Sequence, residues 1–168
     1  MTIDWQAIIN EHGRAVWTAA CRLLGNDTDA ADCFQEVFAD AFVFARRQQV
    51  KNFRSLLLRF TACRAMDIIR QRNKKTAALS FAQIPNFDVP VQDCPAAAAE
   101  NSELGEILLK AFAELERNEA EIFYLRHVEN LSISEIAQTF GLNENHISVI
   151  IYRAKDKLKT LLQRHYGV

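Results

Sequence analysis

The stretch LSISEIAQTFGLNENHISVIIYRAKDKL, residues 131–158, decides the fold of the C-terminal part of the chain. Ser132 and Glu135 have the spacing of a capping box, so we expect a helix to begin at this point. Gly141 suits the left-handed backbone position that ends a helix. A longer helix then follows from about Glu144 to Tyr166. Two helices joined by so short a turn predict a helix-turn-helix.

A plain helical hairpin would share part of this pattern. Helix-turn-helix units cross at a steep angle and need a small residue at the crossing, which Ala137 supplies. Ile147 and Ile150 are then placed to fill the far side of the crossing. Residues 145–168 also contain five basic residues and one acidic residue. The small residue and the basic end favour the helix-turn-helix over the hairpin.

The helix from Glu144 has two faces at about 100° per residue. The inward stripe is predicted to be Ile147, Ile150, Ile151, Ala154 and Leu158. The outward face is predicted to be Asn145, Ser148, Val149, Tyr152 and Asp156, flanked by His146, Arg153 and Lys155. Asn145 could hydrogen-bond adenine, and Val149 could touch a thymine methyl group. Phosphates could be met by Arg153, Lys155, Lys157 and Lys159. The alternative is an ordinary solvated face of a bundle helix.

Charge alternates along the chain, although the net charge is only −1. Residues 46–75 hold ten basic residues and one acid, and residues 145–168 form the second basic block. The three remaining segments, 1–45, 76–100 and 101–144, each have a negative net charge. Two separate basic blocks, each at the end of a helical region, favour two contacts with a polyanion over one solvated basic face.

Helical periodicity runs through both ends of the chain, so the fold class is predicted to be all-α, with two small helical domains joined by a flexible linker. The predicted helices end near Gly25 and then cover about 30–46, 53–73, 102–115, 118–128, 132–140 and 144–166. Asp27 or Thr28 is expected to cap the second helix. The linker is predicted at residues 76–100, which contain all three prolines and no basic residue.

The basic block 46–75 interleaves its cations with Phe53 and Phe60, a combination that suits single-stranded nucleic acid. Phe60 is also placed to be a core residue, so Phe53 is the better candidate for an exposed ring. The preceding helix carries an acidic face opposite its phenylalanines. That face consists of Asp29, Asp32, Gln35, Glu36 and Asp40. It would repel nucleic acid, which indicates a protein partner, although such a face is often just solvated.

Taken together, these segments resemble a known family. The segments are LLG at 23–25, DAADCFQEVF at 29–38, NFRS at 52–55, DIIR at 67–70, LRHVENLS at 125–132, EIA at 135–137 and YRAK at 152–155. The first four resemble the promoter-melting domain of bacterial sigma factors, and the last three resemble their upstream-promoter-binding domain. Two such domains with a short linker resemble the extracytoplasmic-function (ECF) group.

The resemblance implies a domain plan. Residues 1–75 would be a sigma-two-like domain that binds core RNA polymerase and recognises and melts the minus-ten element. Residues 76–100 would be a linker that threads the polymerase. Residues 101–168 would be a sigma-four-like helix-turn-helix domain that recognises the minus-thirty-five element. The implied function is promoter recognition and transcription initiation, and the implied partners are core polymerase, promoter DNA and an anti-sigma factor.

The resemblance also implies site residues. Core polymerase would be bound by Asp29, Asp32, Gln35, Glu36 and Phe38. The melted minus-ten strand, including a flipped base, would be held by Lys51, Asn52, Phe53, Arg54, Arg59, Arg64 and Arg70. The minus-thirty-five duplex would be read by Glu144, Asn145, Ser148, Val149, Tyr152, Arg153 and Lys155.

Two departures from the family's pattern bear on these roles. Leu56 stands where the family usually has Trp, so one aromatic surface near the melted strand is missing. Ser148 and Ile150 stand where the reading helix commonly carries Lys or Arg. Fewer cations predict weaker upstream binding and a flatter dependence on salt.

Several function classes are not expected. No arrangement typical of a catalytic site, metal site or cofactor site appears, so we predict a protein that is not an enzyme. No run of about 18 apolar residues or secretory signal appears, and the four cysteines are expected to be reduced thiols. A cytoplasmic protein is therefore predicted. Two alternatives stay open: a stand-alone helix-turn-helix regulator that dimerises through residues 1–75, and a degenerate sigma-like interaction module.

Overall fold

The computed structural model describes residues 2–78 and 103–167, and the described residues form helices and no strand. The helices of these two ranges are α1 (Trp5–Leu24), α2 (Asp27–Arg47), α3 (Phe53–Ala78), α4 (Glu103–Glu114), α5 (Arg117–His127), α6 (Ile133–Phe140) and α7 (Glu144–Tyr166). The predicted all-α fold class is confirmed. Most of the predicted linker lies outside the described residues. Among the helices described, none is long and apolar enough to cross a membrane.

The turn between α1 and α2 is built from adjacent caps. Gly25 ends α1 with φ 73°, as its sequence position predicts. Asn26 caps α2, because its side-chain oxygen accepts the N–H of Asp29 at 2.8 Å. The expectation of Asp27 or Thr28 as the cap is therefore wrong. Asn caps a helix as well as Asp does. The earlier start also leaves Asp27 in the first turn, where its charge favours the helix dipole.

Helices α1, α2 and α3 pack together as a first helical group, with α3 in contact with both others. The largest side chains fully enclosed between them are Val16, Val37, Leu57, Leu58 and Met66. The start of α3 is held by Asn52, whose side chain accepts the N–H of Ser55 at 3.0 Å. The helix runs five residues beyond the predicted end at Asn73. No Gly or Pro interrupts the chain before Ala78, which is consistent with this extension.

Helices α4 to α7 form a second helical group. The predicted capping box is present: the Ser132 hydroxyl accepts the N–H of Glu135 at 3.0 Å, and the Ser132 N–H donates to the Glu135 carboxylate at 2.8 Å. The bond from the Ser132 backbone lowers the pKa of Glu135. Gly141 ends α6 with φ 65°, and Ala137 is buried on α6, which packs against α7. The local signals at residues 132–141 are therefore confirmed.

Ser132→Ala should lower the free energy of unfolding by about 1 kcal/mol, because one N–H of the first turn is left without its acceptor. Thermal or urea unfolding followed by circular dichroism measures the change. Ser134→Ala is the matched control, since Ser134 is exposed on the same helix and is not its cap. An equal loss of stability in both variants would contradict the capping role.

The two helical groups are in contact through α3. One side of α3 packs on α1 and α2, and another side meets α4, α5 and α6. The sequence could not predict this contact, because its residues are far apart along the chain. The contact determines which of the candidate residues are exposed.

The cysteines do not all match the expectation of reduced thiols. Cys21 is disulfide-bonded, so for this residue the expectation is wrong. Cys33 and Cys63 are free. Burial raises the pKa of Cys33 to about 12 and that of Cys63 to about 11, so both thiols stay protonated and unreactive at neutral pH.

Candidate functional site

The acidic side of α2 is largely open to solvent. Its exposed members are Asp32, Gln35 and Glu36. Asp29 is half-buried and forms an ion pair with Arg72, so it braces α3 against α2. Phe38 is also half-buried, and its ring centroid lies 4.8 Å from that of Phe34. Of the five residues predicted to bind polymerase, Asp32, Gln35 and Glu36 are therefore exposed, whereas Asp29 and Phe38 are packed against other residues of the chain.

A groove beside this acidic side was not visible in the sequence. It has a volume of about 470 Å³ and runs between α1 and α2. Its lining is mainly apolar and includes Ile9, Trp17 and Phe34, and its polar members are Arg14 and Gln35. An apolar groove with carboxylates nearby suits the apolar face of a helix that carries basic residues.

The start of α3 carries exposed cations. Lys51 and Arg54 are exposed, whereas Asn52 and Phe53 are half-buried. The Phe53 ring stands edge-on to Trp5, with 5.8 Å between the ring centroids. Phe53 is thus less accessible than expected, because its ring packs on the first residue of α1. Asn52 has a structural role as well, since it caps α3.

The three other arginines of the predicted single-strand set bind protein groups. Arg64 donates to Asp40 of α2 at 2.7 Å. Arg59 and Arg70 instead reach the second helical group, and both are half-buried. The structure therefore does not present these arginines together as an open basic side of α3.

A cavity of about 380 Å³ lies between the α2–α3 connection and the end of α6. Lys51 and Asn52 line it on one side, and Thr139 and Phe140 line it on the other. Leu56, the residue in place of the usual Trp, also lines it and is only 3% exposed. Polar and apolar groups are both present, as they are in sites that hold a nucleobase.

Helix α7 has the two faces that its sequence predicts. Ile147 and Ala154 are fully buried and Leu158 nearly so, whereas Ile150 and Ile151 are half-buried. All members of the predicted duplex set are exposed: Glu144, Asn145, Ser148, Val149, Tyr152, Arg153 and Lys155. Tyr152 is 72% exposed and Val149 45% exposed. Most of the apolar character of α7 therefore belongs to the core, and a small, mostly polar face remains outside.

Lys157 does not extend this outward face. Its Nζ lies 2.8 Å and 3.0 Å from the two carboxylate oxygens of Glu119 on α5, and the hydrogen bond raises the pKa of Lys157. Glu119 itself is largely buried. The expectation that Lys157 contacts phosphate is not supported, because the lysine already neutralises a buried carboxylate.

Sequence reasoning missed the residues that join the two helical groups. Arg117 of α5 donates to Asp67 of α3 at 2.6 Å. Glu129, after α5, accepts from both Arg22 of α1 and the Tyr124 hydroxyl. An available signal was that two glutamates, Glu119 and Glu121, stand among the apolar residues of α5. A carboxylate is rarely buried without a partner.

Two family descriptions match the chain in order. Residues 8–75 match sigma-70 region 2, and residues 105–158 match sigma-70 region 4. The stand-alone regulator is not favoured, because it would not need region 2.

Two relatives carry ECF sigma factor names. The ECF RNA polymerase sigma factor SigE of Mycolicibacterium smegmatis is 29% identical over 165 residues, which are 96% of this chain and 63% of that protein. The chain thus spans less than two thirds of the length of SigE. The ECF RNA polymerase sigma factor SigM of Bacillus subtilis is 24% identical over 135 residues, 80% of each chain.

Solved structures share the fold. The sigma factor RpoE of Bartonella quintana, in complex with the anti-sigma factor NepR, has a TM-score of 0.54 at 18% identity and covers 95% of this chain and 97% of its own. CnrH, in complex with the cytosolic domain of CnrY, has a TM-score of 0.56 at 22% identity and covers 96% and 91%. Because regions 2 and 4 both match in order and both SigE and SigM carry the ECF name, the protein belongs to the sigma-70 family of RNA polymerase sigma factors, in its ECF group.

Proposed function

We propose that this chain directs transcription initiation by binding core RNA polymerase and recognising promoter DNA. The observation that carries the proposal is the ordered pair of matches to regions 2 and 4, spanning residues 8–158. The charge pattern supports it, because the first match contains both an acidic helix and a basic block. The proposed domain plan is residues 1–75 and 101–168, joined by 76–100.

Core polymerase is proposed to dock on α2 and the groove beside it. Asp32 and Glu36 would attract basic side chains of the polymerase, while the apolar groove would take the apolar face of the same element. Asp29 and Phe38 are half-buried and would contribute indirectly. Asp29 fixes α2 to α3 through Arg72, and Phe38 packs on Phe34.

Melted promoter DNA is proposed to bind where α2 meets α3. Lys51 and Arg54 would contact phosphates, and the neighbouring cavity of about 380 Å³ would accept an unstacked base. Asn52, Phe53 and the arginines of α3 would complete the site. Melting would then depend on differential binding: unpaired bases are held better than paired ones, which offsets the few kcal/mol needed to unstack a base.

The outward face of α7 is proposed to read the upstream duplex. Asn145, Ser148 and Val149 are close to the helix start, where reading helices contact base edges. Tyr152, Arg153 and Lys155 would meet the backbone. With Ser148 and Ile150 in place of cations, few phosphates are neutralised, so the duplex contact is proposed to be weak.

An anti-sigma factor is the third proposed partner. Two solved structures with this fold are complexes, RpoE with the anti-sigma factor NepR and CnrH with the cytosolic domain of CnrY. In this chain an apolar hollow of about 160 Å³ lies between α1 and α4, lined by Leu23, Leu109, Phe112 and others. It could receive an apolar side chain of such a protein. The proposed location is the cytoplasm, and the proposed role needs no catalytic step by this chain.

The proposal is tested by binding the purified chain to bacterial core polymerase that lacks a sigma factor. DNA enriched by the resulting holoenzyme is then sequenced, and run-off transcription is measured on the recovered promoters. Transcripts that depend on the chain support the proposal. Failure to bind core polymerase would contradict it, and binding without any transcript would indicate the degenerate module.

Lys51→Ala should reduce promoter opening several-fold and leave core binding unchanged, because the substitution removes an exposed cation that would bind phosphate. Permanganate reactivity of unpaired thymines in the holoenzyme complex measures opening. Lys110→Ala, on the exposed side of α4, is the matched control. Asn52→Ala would be less clear, since it also removes the cap of α3. Reduced core binding by Lys51→Ala would show that the assignment is wrong.

A further inference from the structure

An aromatic cluster lies at the surface where the start of α1 meets the end of α2. The Trp5 ring centroid lies 5.5 Å from that of Phe42 on α2 and 5.8 Å from that of Phe53, the first residue of α3. Phe42 is 45% exposed, and Trp5 and Phe53 are half-buried. Three helices therefore bring three rings together on the outside of the first helical group. We call these three rings the aromatic platform.

Core packing does not account for the exposure of Phe42. Val43, the next residue, is 50% exposed, so exposed apolar side chains stand next to each other on α2. A single apolar side chain on a surface is ordinary, whereas several contiguous ones mark a contact with a partner. The platform is therefore a candidate binding surface, and the charges around it indicate which partner it fits.

Helix α2 reverses its charge along its length. Its exposed acids, Asp32 and Glu36, lie in its first half. Arg46 and Arg47, both exposed, are its last two residues. At 1.5 Å per residue, Asp32 and Arg46 are about 21 Å apart along the helix. The Arg46 guanidinium lies 5.9 Å from the centre of the Phe42 ring, so the platform belongs to the basic end. A polyanion would be attracted there, whereas the basic element proposed to dock on the acids would be repelled.

The carboxylates near the platform in the sequence are engaged by protein groups. Asp4, which precedes Trp5, caps α1 by accepting the N–H of Ala7 at 3.1 Å. Asp40 of α2 accepts from Arg64 at 2.7 Å. Because Arg64 neutralises Asp40, the cations at the end of α2 outnumber the remaining acid, and the surroundings of the platform stay positive.

Exposed rings beside an arginine are suited to unpaired nucleobases. Every base has a π-face that can stack on an aromatic ring, and an arginine nearby adds attraction to the base and to its phosphate. Bases in a duplex stack on one another, so they are not free to stack on a protein ring. The platform therefore favours single-stranded over double-stranded nucleic acid.

The platform and the cavity of about 380 Å³ lie on different sides of α2. Phe44 lines the cavity and packs edge-on against Phe60. Phe42 precedes Phe44 by two residues, which is a rotation of about 200° around the helix axis. Lys51 lines the cavity and Phe53 belongs to the platform, so the short connection before α3 joins the two. A strand that crosses this connection would reach both.

We propose that the aromatic platform is a second base-binding site for the melted promoter strand, separate from the cavity. One unpaired base stacks on Trp5 or Phe42, and Arg46 contacts the strand beside it. This inference rests on the proposed function, to which it adds Trp5, Phe42 and Arg46 as residues that contact DNA. Holding the strand at two points increases the difference in affinity between unpaired and paired DNA, which favours the melted state.

Photocrosslinking in the holoenzyme tests the site directly. A fork-junction DNA is made from a promoter recovered with the holoenzyme, and 5-iododeoxyuridine replaces one nucleotide of the unpaired strand at a time. Near-ultraviolet light joins iodouracil to an aromatic ring on which it stacks, and mass spectrometry identifies the joined residue. At least one position should crosslink to Trp5 or Phe42. Crosslinks from every position to other residues only would overturn the proposal.

Two substitutions of Phe42 separate stacking from side-chain bulk. Phe42→Leu keeps an apolar side chain against Trp5 but removes the ring, so the affinity of the holoenzyme for the fork junction should fall by roughly tenfold. Phe42→Tyr keeps the ring and should bind as wild type does. Core polymerase binding should be equal in all three chains, and circular dichroism checks that each is folded. Wild-type affinity in Phe42→Leu, an equal loss in Phe42→Tyr, or weaker core binding by Phe42→Leu would each rule out the stacking role.

Fluorescence of the free chain provides a test that needs no polymerase. The chain has two tryptophans, so Trp17→Phe leaves Trp5 as its only one. Oligothymidine of about 15 nucleotides, long enough to cover one single-strand site, should quench Trp5 fluorescence, and its duplex with oligoadenosine should not. Trp5→Phe is the control, because the remaining Trp17 lies in the α1–α2 groove and should be quenched by neither. Equal quenching of the two tryptophans, or none of Trp5, would contradict the platform.

The two kinds of experiment distinguish this inference from the proposed function. Absence of core polymerase binding by wild type would contradict the proposed function, whereas quenching of Trp5 by the single strand would still support the platform. A holoenzyme that transcribes normally with Phe42→Leu and gives no crosslink to the platform would leave the proposed function intact and refute the second base site.

Discussion

Asp32→Lys with Glu36→Lys is expected to weaken binding to core RNA polymerase by roughly a factor of 10–100, since two attractions become repulsions at one interface. Both side chains are exposed on α2 beside the apolar groove. The fold should be little affected. Glu36 forms an ion pair with Arg64 at 3.7 Å, and a half-exposed pair of this kind contributes little to stability.

The affinity is measured by titrating labelled chain with core polymerase. The matched control is Glu11→Lys with Glu106→Lys, which makes the same change in net charge at exposed positions on α1 and α4. The control should bind nearly as tightly as wild type. If both double variants lose affinity equally, overall charge rather than the α2 surface would account for the effect. Wild-type affinity in the α2 variant would remove α2 from the interface.

Ile147→Ala is expected to lower the free energy of unfolding by about 3 kcal/mol, because it leaves a cavity where α6 crosses α7. Ile147 is 0% exposed, so its truncation removes apolar atoms from a closely packed site. A decrease of this size is a large fraction of the stability of a small domain. Upstream DNA binding should fail as a secondary consequence, since α7 would no longer be supported.

Val149→Ala is the control on the same helix. Val149 is 45% exposed, so its truncation should change stability by less than about 0.5 kcal/mol. It should instead weaken binding to the upstream duplex, if Val149 touches a thymine methyl group. Urea unfolding and duplex binding are measured for both variants. Similar unfolding curves for the two would contradict the assignment of the inward and outward faces of α7.

Local signals predicted much of the second helical group. The capping box at Ser132, the left-handed Gly141 and the two faces of α7 were all predicted and are all present. Each of these features depends on residues within a few positions of each other along the chain. Over that distance helix geometry fixes which side chains are neighbours, so the sequence is sufficient to predict the feature. The cap of α2 was misplaced by one residue for the same local reason, because Asn26 and Asp27 are equally good caps.

The environment of the basic side chains could not be predicted in the same way. Arg59 is held by a backbone oxygen 80 residues away, and Lys157 by a carboxylate 38 residues away. In the sequence both read as cations available to DNA. Nothing in the residues next to a charged side chain identifies its partner, because ion pairs and hydrogen bonds across a fold depend on distance in space. The sequence determined which residues are cationic and which helices carry them. The packing of the helices on one another decided which of those cations bind protein groups instead of facing solvent: α6 holds Arg59 of α3, and α5 holds Lys157 of α7.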